Sequence, residues 1–544
     1  MGRDAFPRPA LSVEANGLEM SMQSNLPASN NSSSEGWIPF NPGLNPVEAG
    51  NEHPWRSSNG SLIANTEERV VVQTDNFGTV PVFLDTKKGE TLLNLAGESR
   101  QASPQAIDRA GFWELVIYGS CLSTRTPWQH VKQAPSSSNL VFERRTGSIT
   151  YSPEPLLAPP KQEVPTAELL QRIGDRLESL CRDYWSLVGD GEILLPLSGG
   201  LDSRLLAAYL ATTGDPSRIV AMTYALSPTS REVTLAREIC RRLSIKRHII
   251  HPTPRTLFKD QIQPFWDFFG GSVPPAHGHL HSFLKQYVGT RPPPLLVSGF
   301  FADAVAGFAA GPSDKAPALS DSGVFGRFQA GLEKLLVDSE TSDTVINDLE
   351  TVHGEWRQSE LPVGFDEYIY LTIRQPKTFA PLLSLYRDCC PVAIPFADPD
   401  LARLYLSLPL GERRHKLVQR HLISARAPSV EGLGDVSSSV ANATRRQRAQ
   451  GSLRKWTSRA CIALAILSGD SIRPTTPYWT EDLFGAMRKE ARPALLATIK
   501  GLAAQGILSA GQAQRLRPKP RTSLDANYDV CLLGFYPLAS SAIS

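Results

Sequence analysis

The chain has 544 residues, 41% of them hydrophobic and 20% charged, and its 56 basic residues nearly balance 54 acids to a net charge of +2. This length allows about two to four domains, and the balanced charge argues against nucleic acid or an acidic membrane as the main partner. Seven cysteines without a CxxC pair favour reduced thiols. The N-terminus lacks an apolar signal segment, and the longest late apolar run, CIALAIL (461–467), is too short to span a membrane. A cytoplasmic protein is predicted.

Residues 60–151 are predicted to form short strands with turns between them. SMQSNLPASNNSSSEG (21–36) is polar and predicts a loop or a disordered segment. RVVVQTD (69–75), VPVFLD (80–85) and TLLNLAG (91–97) are rich in strand-forming residues and are separated by turn residues. The proline-rich stretch 152–165 then predicts a domain boundary before an amphipathic helix at 166–188.

The stretch LLPLSGGLDSRLLAAYL (194–210) contains a buried strand, a glycine turn and the start of a helix. Backbone N–H groups of such a turn, together with a helix N-terminus, form an anion site that suits polyphosphate. Asp202 makes sense at such a site if it holds a cation such as Mg²⁺. Further strands are predicted at 219–225 and 246–252, and from residue 295. This alternation predicts a doubly wound parallel sheet that binds ligands at the carboxyl ends of its strands.

Several segments, in order, resemble one family. SGGLDS (198–203) resembles the pyrophosphate loop of N-type ATP pyrophosphatases, and SGFFADAVAGF (298–308) resembles the SGxGSDExxGGY segment of the asparagine synthetase family. Residues 391–409 and HKLVQRHL (415–422) resemble later segments of that family, and TDNFGTVPVF (74–83) resembles part of its glutaminase-type domain. Roughly residues 60–425 are covered.

The resemblance implies an α/β chain: an N-terminal α+β glutaminase-like sandwich, then a doubly wound parallel-sheet ATP pyrophosphatase domain with a helical C-terminal part. The expected domains are a degenerate glutaminase-like domain at 1–158, the synthetase domain at 166–430 and a helical extension at 431–544.

The resemblance also implies ATP and Mg²⁺ as cofactors. Asp202 and Asp303 would hold Mg²⁺, and Lys416, as the catalytic residue, would reach phosphate with its positive charge. The residues expected to bind ATP are Leu197, Ser198, Gly199, Gly200, Asp202, Ser203, Thr223, Ser298 and Gly299, with the Ser203 hydroxyl donating to phosphate.

The chain departs from the family at several positions. Glutaminases of this type use an N-terminal cysteine, but the second residue is Gly2 and the first cysteine is Cys121, so no glutaminase activity is expected. Phe300 stands where asparagine synthetases carry an acid and β-lactam synthetases a tyrosine, and Ala304 replaces another acid. The family's second lysine has no clear counterpart. These differences point to an altered acyl or amine substrate.

The histidines of PAHGHLHSF (275–283) allow two interpretations. On a strand, His277, His279 and His281 would share one face and could bind zinc. On a loop entering a helix, as the resemblance implies, they would be ordinary polar or substrate-facing residues, because helical residues two apart do not face one another.

We therefore expect an ATP-dependent ligase that activates a carboxylate as an acyl-adenylate, releases pyrophosphate and transfers the acyl group to ammonia or a substrate amine. One alternative is ring closure, as in β-lactam synthetases and lasso-peptide cyclases. Another is a nucleotide-binding regulatory protein without catalysis. The expected partners are ATP and a small-molecule or peptide carboxylate, with neither nucleic acid nor membrane, and a homodimer is one possible assembly.

Overall fold

The structure is a computed structural model that describes residues 68–85, 107–143, 145–146, 148–153, 164–225, 228, 230–252, 257–275, 278–289, 293–309, 318–434, 491–517, 528–529 and 531–540, with five further short strands before residue 95. The predicted loop at 21–36 lies outside this part except for residues 21–22, and residues 435–490 lie entirely outside it.

The strands are, in chain order, β1 (Leu11–Ser12), β2 (Ser21–Met22), β3 (Trp37–Phe40), β4 (Ser61–Asn65), β5 (Arg69–Gln73), β6 (Phe83–Asp85), β7 (Leu92–Asn94), β8 (Val131–Gln133), β9 (Ser138–Glu143), β10 (Ile149–Pro153), β11 (Ile193–Pro196), β12 (Ile219–Ala225), β13 (Arg247–Pro252), β14 (Leu295–Val297) and β15 (Val392–Ala393).

The α-helices are α1 (Arg109–Tyr118), α2 (Thr166–Val188), α3 (Leu201–Thr213), α4 (Arg231–Arg242), α5 (Leu257–Phe269), α6 (His279–Val288), α7 (Ala302–Val305), α8 (Gly323–Lys334), α9 (Ser339–Gln358), α10 (Phe365–Ile369), α11 (Leu382–Arg387), α12 (Pro399–Ser407), α13 (Leu410–Arg413), α14 (Leu417–Arg426), α15 (Pro428–Glu431), α16 (Arg492–Ala504), α17 (Ala510–Leu516) and α18 (Tyr536–Ser540). A π-helix covers Tyr370–Phe379, and 3₁₀ turns cover Pro216–Arg218, Leu319–Asp321, Pro395–Ala397 and Arg414–Lys416.

The parallel sheet predicted from the sequence is present. Its five strands lie in the order β13-β12-β11-β14-β15, and every adjacent pair is parallel. The central strand β11 begins with three fully buried residues, Ile193, Leu194 and Leu195, as expected for a strand covered on both faces. Because all five strands run the same way, the loops that follow them meet at one edge of the sheet.

Among the described residues, the N-terminal part contains three antiparallel sheets. Their strand orders are β10-β9-β5-β4-β3, β7-β6-β8 and β1-β2. The strand predicted at 69–75 ends at Gln73, because the Asp75 carboxylate turns the chain by accepting the N–H groups of Phe77 and Thr79. The strand predicted at 80–85 begins only at Phe83, after Pro81, which has no N–H for a ladder. The likeness of this part to a glutaminase stays a prediction.

The two parts of the chain are packed together through polar and apolar contacts. The Trp128 indole donates to the carbonyl of Gly270, and Arg125 pairs with Asp348 at 2.7 Å. Towards the C-terminus the described residues of the extension include the helices α16, α17 and α18. Among the helices that the structure describes, none combines the length and apolar character needed to cross a membrane.

Candidate functional site

The glycine turn lies directly between β11 and α3, at the carboxyl edge of the sheet. Gly200 is the N-cap of α3, which begins at Leu201 and runs for 13 residues. The Ser203 hydroxyl lies within 3.1 Å of both the backbone nitrogen and the hydroxyl of Ser198, so it braces the turn from inside. The first turn of α3 therefore presents its N–H groups and the positive end of its dipole at this edge.

The neighbouring strand fixes the start of this loop. Thr223, near the end of β12, donates its hydroxyl to the carbonyl of Leu197 at 2.6 Å and lies 2.8 Å from Nε2 of His248. The Leu197 N–H donates to the carbonyl of Met222 at 2.7 Å. Leu197 and Thr223 are thus braced against each other, and both are buried.

On the other side of β11, the loop after β14 comes close to α3. Ser298 is buried and its N–H donates to the carbonyl of Ala393. A Cβ at Gly299 would lie 3.7 Å from the Cβ of Asp202, so a side chain at this position would meet the first turn of α3. The short helix α7 follows and carries Asp303.

Two carboxylates converge on one ammonium group at the centre of the site. Lys416 Nζ lies 2.5 Å from Oδ2 of Asp202 and 2.6 Å from Oδ1 of Asp303. The amide of Gln419 donates to Oδ1 of Asp202 at 3.1 Å. The Asp202 side chain is 16% exposed, whereas that of Asp303 is 46% exposed, so the pair opens towards solvent on the Asp303 side.

Burial and charge act on these groups in opposite senses. Burial raises the pKa of Asp202 to about 6, opposed by the charge of Lys416 and assisted by that of Asp303. For Lys416, burial favours a lower pKa, but the two carboxylates prevail and hold its pKa above the usual value. Lys416 is therefore charged at neutral pH and occupies the position between the carboxylates that a cation would take.

The carboxylate pair suits Mg²⁺. Hard oxygen donors from two side chains, with phosphate and water supplying the rest, are what this ion accepts at nucleotide sites. Both carboxylates already contact the same cationic atom, which shows that they reach a common point. Asp202 and Asp303 would be the residues that hold the ion.

Lys416 reaches this point from a strained turn. His415 and Lys416 both have φ of 57°, a left-handed conformation that non-glycine residues adopt at a cost of about 1–3 kcal/mol each. The helix α14 starts at the next residue, so this turn aims the side chain across to α3 and α7.

Sequence reasoning missed Arg204. This residue follows the SGGLDS motif and is fully buried, and its guanidinium donates to the carbonyls of Gly199 at 3.0 Å, Leu433 at 2.9 Å and Gly434 at 2.7 Å. It therefore joins the glycine turn to the chain that follows α15. Its position on an otherwise apolar helix face was the only signal for it in the sequence.

The histidines predicted for zinc or substrate lie at the start of a helix. His279 and His281 belong to α6 and are both buried, while His277 lies outside the described residues. Within the described part of the chain, no group of three or more potential ligands is arranged to hold a metal ion. Both nitrogens of His281 lack a hydrogen-bond partner, and burial lowers its pKa to about 4.

Comparison with known proteins identifies the family of the segment that carries this site. Residues 185–273, which include β11, the glycine turn, α3 and β12, match the family model of asparagine synthase. This segment of the chain is thus similar to the asparagine synthase family. The match supports a class of ATP-dependent ligases that form amides.

Two solved structures are similar to parts of the chain. The NH3-dependent NAD synthetase from Campylobacter jejuni, in complex with nitrate, is 15% identical over 34% of this chain and 93% of its own, with a TM-score of 0.20. The glutamine-dependent NAD⁺ synthetase from Acinetobacter baumannii, in complex with ADP, is 18% identical over 44% and 50% of the two chains, with a TM-score of 0.21. Comparison with curated proteins gives no match.

Proposed function

We propose that the asparagine synthase domain activates a carboxylic acid as an acyl-adenylate and transfers it to an amine. The observation that carries this proposal is the convergence of Asp202, Asp303 and Lys416 beside a glycine turn and a helix N-terminus. Both signs of charge and the N–H groups of α3 lie within one small region, which suits a nucleotide triphosphate and its counter-ion.

In the proposed first step, a carboxylate oxygen of the substrate attacks the α-phosphorus of ATP. The new P–O bond forms as the bond to the bridging oxygen breaks, and pyrophosphate leaves with that electron pair. Leu197, Ser198, Gly199, Gly200 and Ser203 would hold the phosphates, and Thr223, Ser298 and Gly299 would line the nucleotide. Bound Mg²⁺ would supply charge neutralisation on the phosphates.

Lys416 would stabilise the charge that builds up on the phosphates. Its ammonium is already charged in the fold, and when Mg²⁺ takes its place between the carboxylates it would turn from them to the neighbouring phosphates. In the second step an amine attacks the acyl carbon, AMP leaves and the amine loses a proton. Phe300 can neither accept nor orient that proton, so we place the base on the substrate or outside the described residues.

We further propose that the chain does not hydrolyse glutamine, so that the amine is free ammonia or part of the substrate. The six cysteines in the described residues are all buried. Burial raises the pKa of each of these thiols, to about 12 for Cys181, Cys240, Cys390 and Cys531. A neutral buried thiol is a poor nucleophile.

The experiment is ATP–pyrophosphate exchange with Mg²⁺, screened with aspartate, other carboxylic acids and peptides. We expect exchange that depends on one class of acid and falls at least about 100-fold in Asp202→Asn and Asp303→Asn. Asp190→Asn, which alters an exposed carboxylate just before β11, is the matched control and should exchange normally.

Ring closure is the second candidate, and the altered residue at Phe300 favours it over asparagine formation. A substrate carrying both an acid and an amine would then lose the mass of one water molecule, detected by mass spectrometry. Measurable ATP binding without exchange for any acid would instead support a nucleotide-binding protein without catalysis.

A further inference from the structure

Phe301 holds a backbone conformation that side chains resist. Its φ of 67° and ψ of −6° are left-handed, and it forms the N-cap of α7. Asp303 lies two residues further along, in the first turn of this short helix. Whether Phe301 keeps that conformation therefore decides where the Asp303 carboxylate lies. A glycine would adopt the same angles without strain.

A ring from the N-terminal part of the chain covers Phe301. The rings of Phe77 and Phe301 are stacked, with centroids 4.8 Å apart and planes within 3° of parallel. Phe77 is fully buried and Phe301 is 4% exposed, so the pair is closed off from water. Flipping Phe301 to an ordinary φ would redirect the backbone at this residue and disturb this contact.

Phe77 is itself held firmly. Its N–H donates to Oδ1 of Asp75 at 2.9 Å, and the same carboxylate accepts the N–H and the hydroxyl of Thr79. The carbonyl of Thr79 in turn accepts a hydrogen bond from the guanidinium of Arg387, the last residue of α11. The turn at 75–79 is thus a rigid support anchored on both sides.

The same N-terminal part also holds the π-helix that borders the site. The Gln133 amide donates to the carbonyl of Pro376 at 3.2 Å, and Lys377 Nζ donates to the carbonyl of Arg125 at 2.8 Å. At the other end of this helix, the Tyr370 ring lies 6.2 Å from that of Phe308, whose N–H donates to the carbonyl of Asp303.

We propose that Phe77 is a positioning residue, and that the N-terminal part of the chain serves the ligase site as a support. By stacking on Phe301, Phe77 keeps the loop 299–303 in its strained conformation and so keeps Asp303 opposite Asp202 and Lys416. This role rests on the proposed function for its effect on rate, but not for its effect on the loop.

The test compares Phe77→Leu, Phe301→Gly and the double variant. Phe77→Leu should slow pyrophosphate exchange about tenfold and raise the Mg²⁺ concentration for half-maximal rate, because the strained residue loses its support. Phe301→Gly should remain near the wild-type rate. The double variant should recover to within about threefold of Phe301→Gly, because glycine needs no ring to hold these angles.

The hydrogen-exchange rates of backbone amides measure the stability of this loop without relying on enzyme activity. The amides of Ala304 and Val305 donate to the carbonyl of Phe301 at 3.0 and 3.2 Å, and that of Ala302 donates to Gly299. These amides should exchange faster in Phe77→Leu and at the wild-type rate in the double variant. Phe142→Leu removes a similarly buried ring from the N-terminal core and is the matched control, which should leave these amides unchanged.

Unchanged exchange of these amides in Phe77→Leu would overturn the proposal, as would a double variant as impaired as Phe77→Leu. A wild-type protein that shows no pyrophosphate exchange would instead refute the proposed function. In that case the hydrogen-exchange comparison still decides whether Phe77 holds the loop.

Discussion

Replacing Arg204 should weaken both the fold and the binding of ATP. Its guanidinium, fully buried, makes three hydrogen bonds of 3.0 Å or less, to the carbonyls of Gly199, Leu433 and Gly434. A hydrogen bond from a charged donor contributes about 1.5–3 kcal/mol. Part of that sum is offset because leucine removes the cost of burying the charge. We therefore expect Arg204→Leu to lower the free energy of unfolding by about 3 kcal/mol.

Arg204→Lys separates stability from binding. An ammonium is a point charge and does not span the Gly199 carbonyl and those of Leu433 and Gly434 together. If the lysine still donates hydrogen bonds to the carbonyls of Leu433 and Gly434, it no longer donates one to the carbonyl of Gly199. The peptide between Gly199 and Gly200 then loses the hydrogen bond that orients it. The dissociation constant for ATP should then rise about tenfold, the equivalent of one hydrogen bond.

The assays are urea unfolding followed by circular dichroism and calorimetric titration with ATP. Arg242→Leu is the matched control, because Arg242 also donates to a carbonyl of this segment, that of Ser429, from a partly exposed position. Arg242→Leu should lower the free energy of unfolding by less than about 1 kcal/mol. The role assigned to Arg204 is refuted if Arg204→Leu lowers the free energy of unfolding by no more than Arg242→Leu does. It is also refuted if Arg204→Lys binds ATP with the wild-type affinity.

Two further predictions concern charge. Lys416→Met should lower the exchange rate at least about 100-fold, and should allow Mn²⁺ to bind without nucleotide, measured by electron paramagnetic resonance, because two carboxylates then face each other without a cation. A variant with normal activity would contradict this. For His281, burial lowers the pKa to about 4, below about 6.5 in the unfolded chain. The neutral form is therefore favoured in the fold, and stability falls as pH drops from 6.5 towards 4, by about 2 kcal/mol at pH 5. In unfolding experiments at several pH values, His281→Leu should reduce the dependence of the free energy of unfolding on pH. An unchanged dependence would show that protonation of His281 is not its cause.

Much of the domain with the parallel sheet could be predicted from local pattern. The helix predicted at 166–188 and the strand predicted at 219–225 match the structure at both ends, and β11 lies directly before the predicted glycine turn. Such elements can be predicted from hydrophobic periodicity and turn residues, because they depend on residues that are close together in the sequence. The parallel order follows because each strand is followed by a helix that returns the chain to the same edge.

The contacts that shape the site could not be predicted in this way. Arg204 donates hydrogen bonds to carbonyls that lie some 230 residues later in the sequence. The Phe77 ring stacks on Phe301, which is separated from it in sequence by a similar number of residues. No local period encodes such pairs. The left-handed angles at Phe301, His415 and Lys416 were equally hidden, because sequence pattern assigns that conformation to glycine or asparagine rather than to these residues.

The positions of these strained residues bear on whether the site performs chemistry. Phe301, His415 and Lys416 lie beside the Asp202–Asp303 pair, and two of them are held by contacts that oppose relaxation. Phe301 is held by the Phe77 stack, and Lys416 by two carboxylates within 2.6 Å. Strain of about 1–3 kcal/mol per residue persists where the rest of the structure over-determines it, which is typical of active sites. Nucleotide binding alone needs the glycine turn and the helix N-terminus, neither of which requires these angles. The arrangement therefore supports the proposed ligase activity more than the alternative of a nucleotide-binding protein without catalysis.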